Sequence, residues 1–484
     1  MSVLLGVIYR TTIWVATPSM IGMDPDKYAV SILAVSNGGI DVLSGGFYAN
    51  LPLFHTLFTV VFEITGVGPS TALQAPMAIL YSTLPVLVTA SLAKSLFGVR
   101  SSKIGAILAS GGSATILYSS LTIPQSHMLL IWYTFVLLLL STWKRSQGYT
   151  FVFLLLIVSM AGTHKLGAGI PFVFILSTIA FLYVLKNKII SFKTERQYIV
   201  YLLISGVVFA IQMLYITEWA KAIGMKIKDV FTKTPETTVT VTAASSVGSF
   251  PQLFLEHGSW ITLLFIGAIA WLGILYTHDS EKVQSLLSVV AVSAFFVVMA
   301  IATPFSMSVE RAIAIGEPFL IILIVGGLVT FSKRSVGYRY LTPMIVILLL
   351  SVQLGTAGAV PDHPAEIQEY LSKDEVEARE WANTHVRSNI YSQYFIAQEI
   401  IEYDGPRATF KTGTGGGFAK GWFPLSEFLV TNNLSKVDGC VALRQNQTLV
   451  RYNGLFKLNY DPVVQLESSG RTKVYSNEGM SIYC

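Results

Sequence analysis

The chain has 484 residues, of which 52% are hydrophobic and only 13% are charged, and its mean hydropathy is +0.59. Soluble domains carry about 25% charged residues, so the composition excludes an ordinary soluble protein and indicates an integral protein of the cell membrane, in contact with the lipid bilayer. The net charge of +5 is small and dispersed, and it predicts no nucleic-acid partner.

The first apolar segment is SVLLGVIYRTTIWVATPSM, at residues 2–20. It lacks the basic beginning and the small-residue cleavage site of a signal peptide, so we interpret it as a short membrane helix with Arg10 near its middle. Later apolar runs have lengths close to the ~20 residues that cross a bilayer. Together they predict an α-helical polytopic membrane protein with about eleven transmembrane helices. The later runs are 74–97, 104–122, 127–143, 149–163, 167–185, 198–217, 255–276, 284–303, 315–332 and 340–357.

The basic residues support this numbering of the spans. Lys and Arg gather in short cytoplasmic loops, and with the N-terminus inside, every alternate loop is short and basic, as around Lys144. If residues 47–66 also spanned, Arg100 and Lys103 would lie outside. We therefore interpret 47–66 as an amphipathic helix in the outer interface. It belongs to one long outer loop, residues 20–72.

A second long outer loop is predicted at residues 218–253. From about Gly358 the charged residues return, and KDEVEAREWANTHV has the pattern of an amphipathic helix with acids in its first turn. The segments SNIYSQ, GCVALR, TLVRY and TKVYSNEGMSIYC have the pattern of strands. The chain therefore divides into a transmembrane domain, 1–357, and a small α/β domain, 358–484, which is extracytoplasmic after eleven spans.

This α/β domain holds the sequons and the cysteines of the chain. The sequons NLS at Asn433 and NQT at Asn446 are predicted glycosylation sites. Cys440 and Cys484 are the two cysteines. They form either a disulfide, if the domain faces an oxidising space, or two unpaired thiols.

Polar side chains at the membrane edge are costly unless they have a partner or a function. In the predicted topology the candidates converge on the outer face, which is what an enzyme site requires. They are Asp24 and Asp26 in the first outer loop, His55 in the interfacial helix, His127 at the outer end of the third and fourth spans, His164 and Lys165 between the fifth and sixth spans, and Glu310 and Arg311 between the ninth and tenth spans.

These residue types suit glycosyl transfer from a lipid phosphate sugar. A carboxylate can serve as general base for an acceptor hydroxyl or can bind a divalent cation. The departing lipid phosphate is anionic, and Lys or Arg beside it would stabilise that charge, with Arg as a bidentate clamp.

Four segments, in this order and topology, resemble the GT-C superfamily of polyprenyl-phosphate-dependent membrane glycosyltransferases. They are GMDPDKYA, NLPLFHTLFTVVFEITGVG, SLAKSLFGVRSSKIGAILAS and SVERAIAIGEPFLIILIVGGL. The resemblance covers roughly residues 1–355, and the C-terminal domain is similar to that of archaeal members. It implies transfer of a single sugar from a polyprenyl (dolichyl) phosphate donor to a glycan or protein acceptor, as in the archaeal dolichyl-phosphate-mannose mannosyltransferases.

The resemblance also implies roles for individual residues. Asp24 or Asp26 matches the first-loop acid of the family, which is its catalytic base or metal ligand; Mg²⁺ or Mn²⁺ is the cofactor that such an acid could bind, and no ligand set is assigned. Arg311, with Lys165 or His164, would hold the donor phosphate. The chain departs from the oligosaccharyltransferases because TIPQSH, around His127, has no acid where they carry a second acidic motif, and because their Trp-Trp-Asp motif is absent. These departures favour a monosaccharide transferase.

Other interpretations stay open. Asp24-Pro-Asp could simply begin a helix. His164 with Lys165 could be a snorkelling pair, and Arg311 could pair with Glu310 or Glu317. The whole protein could instead be a transporter or flippase of lipid-linked material, although transport sites usually lie at the bilayer midplane. It could also be an inactive scaffold whose outer domain binds a partner.

Overall fold

The structure is a computed structural model. The residues that it describes are 2–17, 20, 25–43, 50–141, 147–184, 192–216, 244–246, 250–277, 280–302, 309–333, 336–356, 371–393, 396–397, 421–445, 449–451 and 455–484. Asp24 and Asn446 lie outside these ranges, and only the backbone is described for Asp26 and Glu310.

The first part of the chain is a helical bundle. Its helices are α1 (Ser2–Ala16), α2 (Pro25–Gly38), α3 (Leu53–Thr65), α4 (Pro69–Phe97), α5 (Val99–Ser110), α6 (Ser113–Ser120), α7 (Pro124–Ser141), α8 (Gln147–Thr163), α9 (Gly169–Val184), α10 (Phe192–Ile211), α11 (Phe250–Leu275), α12 (Glu281–Ala302), α13 (Val309–Ser332) and α14 (Val336–Thr356). A π-helical turn, Gln212–Ile216, continues α10. A short 3₁₀ helix, Ile40–Leu43, follows α2.

The last part of the chain is the α/β domain that the sequence predicts. Its helices are α15 (Lys373–His385), α16 (Ser426–Val430) and α17 (Pro462–Ser468), with a 3₁₀ turn at Leu434–Lys436. The strands of the chain are β1 (Ala244–Ser246), β2 (Ile390–Ser392), β3 (Trp422–Pro424), β4 (Cys440–Arg444), β5 (Leu449–Arg451), β6 (Leu455–Leu458), β7 (Lys473–Ser476) and β8 (Met480–Tyr483).

A five-stranded mixed sheet organises this domain, in the order β3-β2-β4-β8-β7. Strand β2 is parallel to β3 and β4, and β8 is antiparallel to β4 and β7. Cys440 and Cys484 are joined by a disulfide, with their Cα atoms 4.1 Å apart. Helix α15 begins with a capping box, in which the Ser372 hydroxyl accepts from the Glu375 amide and the Glu375 carboxylate accepts from the Ser372 amide.

The surface of the helical bundle is suited to lipid. Large apolar side chains on several helices are exposed, among them Leu203, Phe265 and Met344, and such a surface is stable only against a membrane or another apolar partner. By length and hydropathy, three helices of the described chain can cross a membrane: Pro69–Phe97, Gly258–Leu275 and Arg311–Ser332. The other apolar helices are shorter over their described residues, so the count of eleven spans stays a prediction.

Helix α13 lies at the centre of the bundle and is buried along nearly all of its length. The predicted span at 104–122 differs from the structure, because α5 ends and α6 begins at the pair Gly111–Gly112. Glycine is a poor helix former. The break between α5 and α6 opens the amides at the beginning of α6 to a partner from α13.

Over its described residues, the predicted outer loop at 20–72 contains the α-helices α2 and α3. Helix α2 begins at Pro25, so Asp26 lies in its first turn. Within the predicted interfacial segment, α3 buries Phe54 and Phe58. It exposes an apolar stripe on its other side, which suits a helix in contact with lipid. The stripe consists of Leu57, Val60 and Ile64.

Strand β1 connects the two parts of the molecule. It lies in the segment between α10 and α11, and it pairs antiparallel with β6 of the C-terminal domain, with Ala244 opposite Leu458. The predicted loop 218–253 and the C-terminal domain are therefore in contact, and we infer that both lie on the same side of the membrane.

Candidate functional site

The connection between α8 and α9 is a tight turn that carries His164 and Lys165. The His164 carbonyl accepts from the Gly167 amide at 2.8 Å, and the His164 Nδ1 atom accepts from the Leu166 amide at 3.2 Å. Gly167 is required here by steric contact, since a β-carbon at this position would lie 1.8 Å from the Met160 carbonyl oxygen. The turn is thus fixed by its own backbone.

Gln212, the first residue of the π-helical turn, holds this connection from outside. Its Nε2 atom donates to the carbonyls of Ala161 at 2.8 Å and His164 at 2.9 Å, and its Oε1 atom accepts from the Ala168 amide at 3.2 Å. Gln212 is fully buried. Irregular π-helical turns are frequent at functional sites, and this one places a polar side chain against the turn that bears the candidate residues.

The structure brings three of the sequence candidates together. Burial, followed by the neighbouring charges of Lys165 and Arg311, lowers the pKa of His164 to about 3. Because Nδ1 accepts a hydrogen bond, the proton of the neutral imidazole lies on Nε2. Lys165 and Arg311 are both half-buried. The group therefore combines two cations with a neutral imidazole, and its cations are suited to an anion such as a phosphate.

Arg311 lies in the first turn of α13, and Glu317 lies further along the same helix. Glu317 is buried, and its Oε1 atom accepts from the Ala114 amide, at the beginning of α6, at 3.1 Å. A carboxylate at a helix N-terminus is favoured by the helix dipole, and Gly112 offers α6 no side-chain cap. Glu317, a residue of α13, therefore caps the N-terminus of α6.

His55 and His127 belong to an aromatic cluster at the junction of α2, α3 and α7. The ring of Tyr28 lies 5.7 Å from those of Phe54 and His55, and the His127 ring lies 5.9 Å from that of Phe58. Burial lowers the pKa of His55 to about 4, so His55 is neutral at pH 7. These contacts suit packing, with the polar edges of the histidines as candidate substrate contacts.

The aromatic cluster and the cationic group are neighbours. Helix α8 packs on the beginning of α3 at Gly162, where a β-carbon would lie 3.5 Å from that of Leu53. Leu53 is two residues from His55, and Gly162 is two residues from His164. Asp26 lies in the first turn of α2, and Tyr28 of that helix contacts His55. The N-terminal end of α2 and the cationic group are thus both next to the beginning of α3.

Among the described side chains, no group of three or more His, Cys, Asp and Glu residues is close enough to hold a metal ion. The two acids that could bind a cation, Asp24 and Asp26, have no described side chains.

Two residues that shape the site were not singled out from the sequence. Gln212 is a polar residue inside the apolar run FAIQMLYI, which is a recognisable signal, since polar groups within a membrane span usually have a specific role. Gly167 has no comparable signal, because its neighbourhood AGTHKLGAG contains four other glycine or alanine positions of equal appearance. Only the packing of the turn on Met160 distinguishes it.

The described residues form a helical membrane bundle that contains the candidate site. Strand β1, between two helices of the bundle, joins it to the α/β domain. No family model matches the sequence, and no curated protein matches it. Solved structures do. ArnT from Cupriavidus metallidurans bound to undecaprenyl phosphate has a TM-score of 0.54 at 13% identity, over 99% of this chain and 97% of that chain. Its apo form gives a TM-score of 0.53.

The oligosaccharyltransferase AglB from Archaeoglobus fulgidus, in complex with an inhibitory peptide and a dolichol-phosphate, has a TM-score of 0.50 at 12% identity. The match covers 82% of this chain and 63% of that chain, so this protein spans less than two thirds of the oligosaccharyltransferase. At identities this low, the structural similarity establishes a shared fold and nothing finer. The chain shares its fold with ArnT and AglB, and this confirms, at the level of the fold, the resemblance to the GT-C superfamily drawn from the sequence.

Proposed function

We propose that the protein is a membrane glycosyltransferase, a hexosyltransferase that moves a single sugar from a polyprenyl (dolichyl) phosphate to a glycan or protein acceptor. The observation that carries the proposal is the meeting of His164, Lys165 and Arg311 in a bundle with the GT-C fold. ArnT, which has this fold, binds undecaprenyl phosphate, and AglB binds a dolichol-phosphate. A lipid phosphate is therefore the anion that we assign to the two cations.

The chemistry is an inverting displacement. Asp24 or Asp26 takes the proton of the acceptor hydroxyl, whose oxygen attacks the anomeric carbon of the sugar. The bond between that carbon and the phosphate oxygen breaks, and the lipid phosphate leaves with its electron pair. Arg311 and Lys165 stabilise the negative charge that develops on the phosphate, and His164 donates a neutral hydrogen bond from Nε2.

In this proposal the reaction takes place on the outer face of the membrane. The C-terminal domain would be extracytoplasmic, since its β6 strand pairs with β1 in the predicted outer loop 218–253. Asn433 and Asn446 would then be accessible to glycosylation, and the oxidising space would maintain the Cys440–Cys484 disulfide.

Transfer assays with the purified protein in lipid nanodiscs test the proposal. Dolichyl-phosphate-linked mannose and glucose are offered with a panel of glycan and peptide acceptors, with and without a chelator. Asp24→Asn or Asp26→Asn is expected to abolish transfer, and the chelator distinguishes a metal ligand from a base. Arg311→Gln is expected to raise the KM for the donor, whereas Arg100→Gln, an exposed arginine in α5, is the matched control without effect.

The same assay decides between the proposal and its rivals. If folded wild-type protein transfers no sugar from any donor, the proposal of a glycosyltransferase is wrong, and the interpretation as an inactive scaffold takes its place. Movement of a labelled lipid phosphate across the bilayer without transfer would indicate a flippase.

A further inference from the structure

Helix α13, which presents Arg311, contains a proline in its interior. Pro318 has no amide hydrogen, so the carbonyl of Ala314, four residues earlier, receives no helical hydrogen bond. Ala314 is fully buried. A carbonyl without a donor is costly in a membrane interior, where no water replaces the missing bond. Another group must therefore satisfy it.

Two adjacent residues of α7 supply donors at this position. The Tyr133 hydroxyl donates to the Ala314 carbonyl at 2.5 Å, and the Trp132 indole Nε1 donates to the Ile315 carbonyl at 2.9 Å. Both side chains are buried. The hydrogen bonds join α7, which carries His127, to the segment of α13 one turn beyond Arg311.

A third contact fixes the same turn of α13. The Glu317 carboxylate accepts from the Ala114 amide at the beginning of α6. These three polar contacts with other helices fall on residues 314–317, directly before Pro318 and directly after the turn that holds Arg311. The turn of α13 before Pro318 is therefore held by side chains of its neighbours in addition to the remaining bonds of its own helix.

We propose that Tyr133 is a positioning residue for Arg311, and that it acts through the Ala314 carbonyl released by Pro318. The role of Arg311 toward a lipid phosphate rests on the proposed function; the position of the α13 N-terminal turn does not. When the Tyr133 hydroxyl is absent, the Ala314 carbonyl has no donor, the turn before Pro318 moves to find one, and Arg311 moves with it.

The test is a double-mutant cycle between Tyr133→Phe and Pro318→Ala in the full-length protein. Pro318→Ala restores an amide that can bond the Ala314 carbonyl. We expect Tyr133→Phe alone to raise the donor KM about tenfold, with kcat changed by less than about twofold. In the Pro318→Ala background, the same substitution is expected to change KM by less than about twofold.

A matched control is Tyr198→Phe, which removes a buried hydroxyl 3.4 Å from Ser285 Oγ, between α10 and α12. It is expected to leave the donor KM unchanged. The proposal is overturned if Tyr133→Phe raises KM equally in both backgrounds, or if it lowers the melting temperature and kcat without changing KM.

A measurement without any donor separates this proposal from the proposed function. Nitroxide labels are attached to the cysteines of a Leu57→Cys, Val309→Cys variant, one in α3 and one in α13. Pulsed electron spin resonance then measures the distance between the two labels, which reports the position of the α13 N-terminus. The two native cysteines do not react with the label because they form a disulfide. Tyr133→Phe is expected to shift the distance distribution of the wild-type protein. In the Pro318→Ala background, Tyr133→Phe is expected to leave the distance distribution unchanged. A shift in a protein that transfers no sugar supports the positioning role and refutes the proposed function. An unchanged distribution overturns the positioning role.

Discussion

Replacing Gly167 by alanine tests whether the turn between α8 and α9 builds the site. The added β-carbon would lie 1.8 Å from the Met160 oxygen, 2.1 Å from the Met160 carbonyl carbon and 2.7 Å from the Ala161 nitrogen. All three atoms belong to the backbone of the last turns of α8, so no side chain can rotate away. Ordinary contact begins at 3.4 Å. The backbone must therefore move by a distance comparable to a covalent bond.

The cost follows from this overlap. Inserting a methyl group into a packed site costs about 1–3 kcal/mol when the neighbours can adjust, and rigid backbone neighbours place this substitution at the upper end, about 3 kcal/mol. The movement also stretches the hydrogen bonds that Gln212 makes to Ala161, His164 and Ala168. Lys165 and His164 would leave their positions beside Arg311. Since a displacement of about 1 Å can cost a hundredfold in rate, we expect transfer to fall about a hundredfold.

Transfer kinetics and thermal unfolding of purified Gly167→Ala in nanodiscs measure both effects. The matched control is Gly162→Ala, five residues earlier, where the β-carbon would make an ordinary contact with Leu53 at 3.5 Å. Because alanine is the better helix former, this control is expected to be neutral or to stabilise by about 0.5–1 kcal/mol. If Gly167→Ala is as active and stable as Gly162→Ala, the described turn is wrong and the argument for a preformed site fails.

Three further predictions concern the neighbourhood of this turn and the C-terminal domain. Gln212→Leu removes three hydrogen bonds from the turn, and we expect the donor KM to rise about tenfold in transfer assays. His164 has a folded-state pKa of about 3 against 6.5 when unfolded, so its contribution to stability is present above pH 6.5 and is lost as the pH falls toward 3. The decrease in melting temperature between pH 7.5 and pH 5 is thus expected to be smaller in His164→Gln. Cys440→Ser opens a disulfide that spans 44 residues, and we expect it to cost about 2–5 kcal/mol and to speed proteolysis of the C-terminal domain.

Each of these expectations has a defined contrary result. An unchanged donor KM in Gln212→Leu would mean that Gly167 alone holds the turn. Parallel pH profiles for wild type and His164→Gln would contradict the burial of His164. Equal protease resistance of wild type, Cys440→Ser and reduced wild type would show that the disulfide does not stabilise the domain.

Much of the architecture follows from local patterns in the sequence. Apolar runs of nearly bilayer length produced helices α7 to α14 at their predicted places, because a chain in lipid must satisfy its backbone within each helix. The strands at Ile390–Ser392, Cys440–Arg444, Lys473–Ser476 and Met480–Tyr483 were also predicted, since alternation and turn residues act over short distances. The division of 104–122 into α5 and α6 was missed. The apolar residues of 104–122 predicted one continuous helix, whereas the pair Gly111–Gly112 within it indicates a helix break.

The candidate site shows the limit of such patterns. His164, Lys165 and Arg311 were identified as polar residues at a membrane edge, and their common position was inferred only from the order of the spans. Their proximity depends on where the bundle places the beginning of α13 relative to the connection between α8 and α9, which is a relation over about 150 residues of chain. No local pattern specifies such a relation.

The sequence by itself indicated that the bilayer is the solvent of this protein, that the chain has a helical part followed by an α/β part, and which polar residue types lie at the ends of the apolar runs. These follow from composition and periodicity, which each segment carries without its neighbours. Only the tertiary structure decided that Gln212 holds the His164 turn and that Tyr133 completes the helix interrupted by Pro318. A buried polar group must find a partner wherever the packing offers one, and that partner is chosen by proximity in space rather than by position in the chain.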